Sequence, residues 1–547
     1  MVYEDIILTV AETACALGLY LFAGYAARVV NAKWRLLYLV PFFAALFAIA
    51  FFGFEISMAG VYLGAVLLIM GFIREEKRVR RLASVLAGFA MLLSVVFCNI
   101  NGGYRMPDYA EDFKRGFEEM KMHYVLTEHK GIDWDALYDK YLPQFEEAEK
   151  NHDEAAVCVA WTAFSMEFYD MHVNYASKSD SVETEARERV CGNDYGLSLM
   201  KLSDGRTAAV SVEKDSAVYN AGIRNGTIIT AWNGRNIDDA IKDTRENGLK
   251  RQNFTCTENE DFYEAIPVAG TGGDSVEISY LDENGTERTV KADKNGFYAV
   301  RWANTINALD KGAEISNLEW QSVNDKTVLL RMRFMNYDSK ENFGQMEEEI
   351  RSKLLELKEE GVTNLIFDLR SNGGGSGSHV EHIVKLVAPE GEHTYIYDGV
   401  LNRDTMKYEK GSRPDSYKLG ECETFQGENL WGHGQIIVLV NSQTVSAGDH
   451  FTWLTGKFPN VTVMGFTHSS CSGQGINVVN LGYGSLSYSA VLLLNEDGTV
   501  FLDTDESKKA TVPLDVQIPF DEKALKAIFD EGEDYVLSCV VEYFGNH

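Results

Sequence analysis

Apolar residues follow three regimes along this chain. Up to about residue 100 they come in four runs, "IILTVAETACALGLYLFAGYAA", "LLYLVPFFAALFAIAFFGF", "MAGVYLGAVLLIMGFI" and "LASVLAGFAMLLSVVFC". Each is near the ~20 residues that cross a hydrocarbon core, the third being short, so the pattern predicts a four-helix transmembrane domain over residues 1–100. From 108 to 175 the apolar positions in "FKRGFEEMKMHYVL", "WDALYDKYLPQFEEAEK" and "AAVCVAWTAFSMEFYDMH" recur every three or four residues. That period predicts a helical subdomain, bounded at 101–190. From about 194 the pattern changes to short strands such as "YGLSLMKL", "RTAAVSVE" and "SVEISYL", punctuated by Gly, Asn and Asp, and a β-rich domain is expected over 191–298. The remainder, 299–547, alternates apolar strands ("KTVLLRMRFM", "TNLIFDLR", "IIVLVN", "NVTVMGF") with helical stretches. Strand, helix, strand in this rhythm predicts an α/β body with a mainly parallel sheet.

Charge adds an orientation and an exclusion. Positive residues cluster between the first and second apolar runs (Arg28, Lys33, Arg35) and between the third and fourth (Arg74, Lys77, Arg78, Arg80, Arg81). By the positive-inside rule both loops face the cytoplasm, which predicts a multi-pass plasma-membrane protein with its large soluble part extracytoplasmic and the lipid bilayer as a partner. The 81 Asp and Glu against 51 Lys and Arg give a net charge of −30, which repels phosphate backbones and argues against nucleic acid. Eight cysteines show no CxxC pair or metal-like spacing, so no zinc site is expected.

In open parallel sheets the chemistry collects at the carboxyl ends of strands. Two such ends stand out. "NLIFDLR" runs into "SNGGGSGSH", whose Gly373, Gly374 and Gly375 let backbone amides approach a ligand closely. "IIVLVN" runs into "SQTVSAGDHF", where Ser446 precedes the small residues Ala447 and Gly448. A serine nucleophile needs a base. His450 lies one helical turn on and would share a face with Ser446, a structural position, whereas His172 ends an amphipathic helix in "FYDMHVNYA".

Upstream, "DSAVYNAGIRNGTIITAWNGRNI" resembles the helix, glycine turn and strand of a PDZ domain. That likeness implies a peptide-binding loop and edge strand at "YGLSL", with Tyr195, Gly196 and Leu197 at its start, capturing an extended chain by strand addition. The insertion "RENGLKRQNFTCTENEDFYEAIPVAG" departs from the usual compact form.

The order "DWDALYDKYLPQF", "DMH", PDZ-like segment, "DLRSNGGGSG", "VLVNSQTVSAGDHF" resembles the C-terminal processing (tail-specific) serine peptidases, especially their tricorn-like branch, over roughly residues 108 to 525. The resemblance implies a ClpP/crotonase-like catalytic body and a polypeptide substrate, with no metal or organic cofactor. It makes Ser446 the nucleophile, Gly374 and Ala447 the oxyanion hole, and His172 the base. One branch of the family uses a lysine in an "FGKG"-like segment; here that stretch reads "GFTHSSCSGQG", with Cys471 at the lysine position. The tricorn-like branch adds a hydroxyl residue before its histidine, where this chain has Met171, and a late glutamate that orients it. Glu506 is the candidate for that glutamate, with Asp505 and Asp503 as competitors. Three alternatives stay open: an inactive membrane-anchored peptide-binding or sensor protein, an esterase using the same residues, and a cysteine enzyme built on Cys471.

Overall fold

The computed structural model describes residues 108–546, apart from 247–253, 310–317, 337–342, 403–404, 406 and 411–421. The four expected membrane spans in residues 1–100 lie outside the described residues. Among the described residues no helix is long and apolar enough to cross a membrane. The expected fold class is therefore corrected: the described residues form a mixed α/β body without a spanning helix, and multi-pass localisation has no described helix to rest on.

The sheets need correction too. The largest is six-stranded, in the order Val516–Gln517, Val461–Gly465, Gln435–Leu439, Asn364–Asp368, Thr327–Arg331, Glu319–Asn324. The first five run parallel and the last antiparallel, so the sheet is mixed. The pairs within the other sheets are antiparallel.

Strand side chains alternate between two faces, and both faces of the large sheet are covered. Leu329, Ile366, Ile437 and Met464 join one apolar cluster with residues of the 191–309 region and the C-terminal helices. Their neighbours Leu330, Phe367, Val438 and Val463 join a second cluster that includes Ile350, Val384 and Phe451 from the helices Phe343–Glu359, Gly377–Val387 and Ala447–Thr455. Burial on both faces explains why these strands read as unbroken apolar runs.

The N-terminal helices Tyr109–His123, Trp134–Asn151 and Glu154–Met166 bury an aromatic core of Phe113, Phe117, Phe145, Trp161 and Phe164. Asp133 and Asp153 cap two of them by accepting from the amides of Ala136 and Ala156, both at 3.0 Å. The chain then enters the strand Asn174–Ser177, which pairs antiparallel with Gly484–Val491, Asn174 opposite Ser487. Continued outward by two residues, that register sets His172 opposite Ser489. One antiparallel ladder thus delivers the histidine from the helical region to the catalytic body.

Candidate active site

The glycine loop and the serine corner leave adjacent parallel strands at their carboxyl ends, since Asp368 pairs with Leu439. Cross-bonds stitch them together: the Leu369 amide donates to the Leu439 carbonyl at 2.9 Å, Val445 N to Asn372 O at 2.9 Å, and Thr444 Oγ1 to Leu369 O at 2.7 Å. Beneath the loop lies a buried ion network. Asp368 accepts from Arg331 and Arg370, and Arg370 also forks onto Asp534 at 2.8 Å. Burial opposes the Asp368 charge, but the guanidiniums of Arg370 and Arg331 outweigh it and hold its pKa down at about 2.

Ser446 sits at the N-terminus of the helix Ala447–Thr455 with φ +58° and ψ −118°, a conformation that L-residues rarely adopt. It is half-buried, at a sharp strand-to-helix corner. Gly374, at φ +84°, lies directly against it: a Cβ there would stand 2.7 Å from Ser446 Cβ and 3.4 Å from Ala447 N. Only glycine fits both the backbone angle and the gap. Of the two expected oxyanion donors, Gly374 N donates to Asn372 Oδ1 at 2.9 Å, and Ala447 N is the first amide of the helix beyond Ser446.

Asp449, one turn into that helix, is fully buried and accepts from four donors. These are Ser446 N (3.1 Å), Ser470 Oγ (2.7 Å), Cys471 N (3.0 Å) and Ser472 N (3.1 Å). Burial outweighs those hydrogen bonds and raises its pKa to about 6. The carboxylate therefore holds the Ser446 backbone and the loop 470–472 in one grip. The loop in turn reaches the histidine segment, because Met171 N donates to Ser472 Oγ at 3.0 Å. This chain of contacts joins the Ser446 corner to the His172 turn.

His172 is 8% exposed. Burial lowers its pKa, the neighbouring Asp170 carboxylate works in the opposite sense, and Lys130 adds to the lowering. Its Nδ1 lies 3.4 Å from Ser489 Oγ and 3.7 Å from Asp170 Oδ1. His450 plays a different part. Its Nε2 donates to Gly473 O and its Nδ1 accepts from Tyr395 OH, both at 2.7 Å, so both ring nitrogens are committed within the core. Burial pushes its pKa down to about 4, the neutral form this pairing requires.

Of the late acids, Glu506 and Asp505 are exposed and Asp503 is buried. Asp503 Oδ2 accepts from Gly473 N and Gln474 Nε2, each at 2.9 Å, and its Oδ1 lies 4.0 Å from Lys130 Nζ. Burial, reinforced by Asp170, raises its pKa to about 7. Glu506 instead lies against Gly131, where a Cβ would stand 2.8 Å from its carboxyl carbon. The acid recorded facing the histidine is Asp170, while Asp503 interacts with Asp170 and Lys130. The chain marked Asp170 two positions before His172; Lys130 and Ser489 carried no local signal.

Tyr195, Gly196 and Leu197 are all buried. Gly196 N donates to Asp194 Oδ1 at 2.9 Å, and Tyr195 OH to Gly273 O at 2.7 Å. The 3-10 turn Ile266–Gly270, from the end of the long insertion, packs against both the strand Ser198–Lys201 and the helix Ile237–Glu246. As folded, Tyr195 and Gly196 make these contacts within the chain itself. Cys471 is fully buried with its amide on Asp449, a poor placement for a nucleophile.

Residues 328–504 match peptidase family S41, and residues 107–159 match the tricorn protease C1 domain. A probable CtpA-like serine protease of Staphylococcus saprophyticus subsp. saprophyticus is 22% identical over 311 residues, covering 56% of this chain and 50% of that protein. A counterpart from Staphylococcus aureus (strain COL) is 21% identical over 342 residues, covering 61% and 55%. The chain spans about half the length of the curated relatives it matches. Among solved structures, mature CPAF complexed with lactacystin shares 15% identity at a TM-score of 0.48, covering 80% of this chain and 99% of that one. The photosystem II D1 C-terminal processing protease shares 15% at a TM-score of 0.31, covering 78% and 98%.

Proposed function

We propose that this chain, a serine-type peptidase carrying an S41-family domain, cleaves polypeptides near their C-termini by acyl transfer through Ser446 and His172. Similarity to CtpA-like serine proteases supports the substrate class. The observation that carries the mechanism is the contact between Gly374 and Ser446, which sets a glycine loop with its backbone amides against a serine held at a left-handed corner.

In this reading neutral His172 removes the Ser446 proton as the hydroxyl oxygen attacks the substrate carbonyl. The charge that develops on the carbonyl oxygen is met by the Ala447 amide and by the glycine loop, Gly374 N exchanging its Asn372 partner for the oxyanion. Protonated His172 then gives its proton to the leaving amine and activates the water that hydrolyses the acyl-enzyme. The lowered pKa of His172 suits a base that must be uncharged near neutrality.

Labelling with a fluorophosphonate tests this. The wild-type chain is expected to be modified at Ser446, Ser446→Ala not at all, and His172→Ala roughly a thousandfold more slowly. A folded chain that resists the reagent, or labelling that persists in Ser446→Ala, would sink the reading.

A further inference from the structure

The proposed pair of Ser446 and His172 lacks the hydroxyl that the tricorn-like resemblance places just before the histidine, since Met171 stands there. A hydroxyl is nevertheless present, from another part of the chain. Ser489, fully buried on the strand Gly484–Val491, lies across from His172 in the antiparallel register, with its Oγ 3.4 Å from His172 Nδ1. The same Oγ donates to Asp170 Oδ2 at 2.8 Å. We propose that Ser489 and Asp170 are positioning residues for His172, a hydroxyl-bridged link from the imidazole Nδ1 to a buried carboxylate.

Donor and acceptor chemistry fixes the direction of the link. An ionised Asp170 can only accept, so the Ser489 proton points to it and the Ser489 lone pairs face His172. The imidazole must then carry its proton on Nδ1, leaving Nε2 free to take the Ser446 proton. When it does, both ring nitrogens are protonated, no proton leaves Nδ1, and the positive ring faces Asp170 through Ser489 and directly at 3.7 Å. Asp170 is itself held rigidly. Its Oδ1 accepts from His172 N at 2.9 Å and its Oδ2 from Tyr124 OH at 3.1 Å. A ring that carried its proton on Nε2 could not act as the base, so selecting the tautomer is worth rate and not only stability.

Other groups set the field around this link. Lys130, 3% exposed at its side chain, donates to the carbonyls of Tyr169 (2.9 Å) and Thr504 (3.0 Å) and lies near Asp503. It opposes a second positive charge on His172, as does His450 when protonated, while Asp170 favours one and Tyr124 stays neutral. Ser489 has no charge of its own, so replacing it tests the link without altering that field directly.

The proposal rests on the Ser446–His172 reading, and one experiment separates the two. Second-order rates of fluorophosphonate labelling are measured from about pH 5 to about pH 9 for the wild type, Ser489→Ala, Ser489→Thr, Asp170→Asn and Ser446→Ala, with melting temperatures alongside. Ser489→Ala is expected to label roughly tenfold to a hundredfold more slowly, with the acid limb of its profile displaced to lower pH because the imidazolium has lost support. Ser489→Thr restores both rate and limb, and Asp170→Asn displaces the limb further. A wild-type profile in Ser489→Ala, or a slower rate with an unmoved limb and a lower melting temperature, overturns the link. Persistent labelling of Ser446→Ala would instead overturn the underlying Ser–His reading.

Discussion

A Cβ on Gly374 would stand 2.7 Å from the Cβ of Ser446. The glycine loop therefore lies against Ser446 too closely for any side chain at position 374. Gly374→Ala must either push Ser446 away or abandon φ +84°, at a conformational cost of about 1–2 kcal/mol. Because displacement of reacting groups by about 1 Å costs on the order of a hundredfold, labelling of Ser446 should fall by at least that factor while the melting temperature drops only modestly. Equal labelling rates in the two proteins would remove the glycine loop from the site.

Asp449 predicts a second outcome. Asn at this position would turn an amide NH2 toward donors that now point at a carboxylate, leaving at least one of them without an acceptor. Loss of charge-assisted bonds in a buried site should cost about 2–4 kcal/mol. It should also slow labelling, since Ser446 N and the loop that reaches Met171 lose their shared anchor. Denaturant unfolding of Asp449→Asn checks the first effect and fluorophosphonate kinetics the second.

The Arg331–Asp368–Arg370–Asp534 network predicts a dependence on acid. Asp368 titrates at about 2 in the folded chain, below the ordinary carboxylate value of 3.8. Its contribution to stability is thus complete above about pH 4 and lost as pH falls through about 2. Asp368→Ala leaves two guanidiniums facing a vacated anion site and should destabilise by about 3–5 kcal/mol at neutral pH. The gap between variant and wild type should narrow on acidification, as read by thermal unfolding at a series of pH values.

Asp503 carries the opposite sign. Its folded pKa is raised to about 7 from 3.8, so the folded state binds more protons than the unfolded one between those values. The stability linked to that proton is present below about pH 4 and is lost as pH rises through about 7. In that window the slope from this group is at most about 1.4 kcal/mol per pH unit. Histidines 172 and 450, lowered by burial, tilt the curve the other way below their ordinary value of 6.5. The difference between wild type and Asp503→Asn isolates the carboxylate: it should shrink the loss of stability between pH 4 and 7. An unchanged curve would mean Asp503 titrates normally.

The serine corner and the glycine loop were legible because each is written in a few consecutive residues at the end of an apolar strand, and adjacent parallel strands place such ends together. His172 was marked as the candidate base through resemblance, but its seat was not legible. Ser489 is 317 positions away, and only the antiparallel register between Asn174–Ser177 and Gly484–Val491 brings it opposite. The three late acids could not be ranked from spacing, because burial decides among them and the turn exposes Asp505 and Glu506 while tucking Asp503 inward. The mixed sheet was hidden for a similar reason: an apolar run does not announce whether its edge partner runs with it or against it. At the PDZ-like segment the long insertion, already visible in the sequence as a departure from the compact form, folds back to pack Ile266–Gly270 against the strand Ser198–Lys201 and the helix Ile237–Glu246.

The antiparallel ladder between Asn174–Ser177 and Gly484–Val491 has one more consequence. During synthesis the segment bearing His172 emerges long before the strand that receives it, and the serine corner emerges between them. Until residues 484–491 have been made and docked, His172 has neither its ladder nor Ser489, and Asp170 lacks one of its donors. On the proposed Ser446–His172 reading, a nascent chain of this kind is expected to be inert, and reactivity at Ser446 arrives only with completion of a long-range closure.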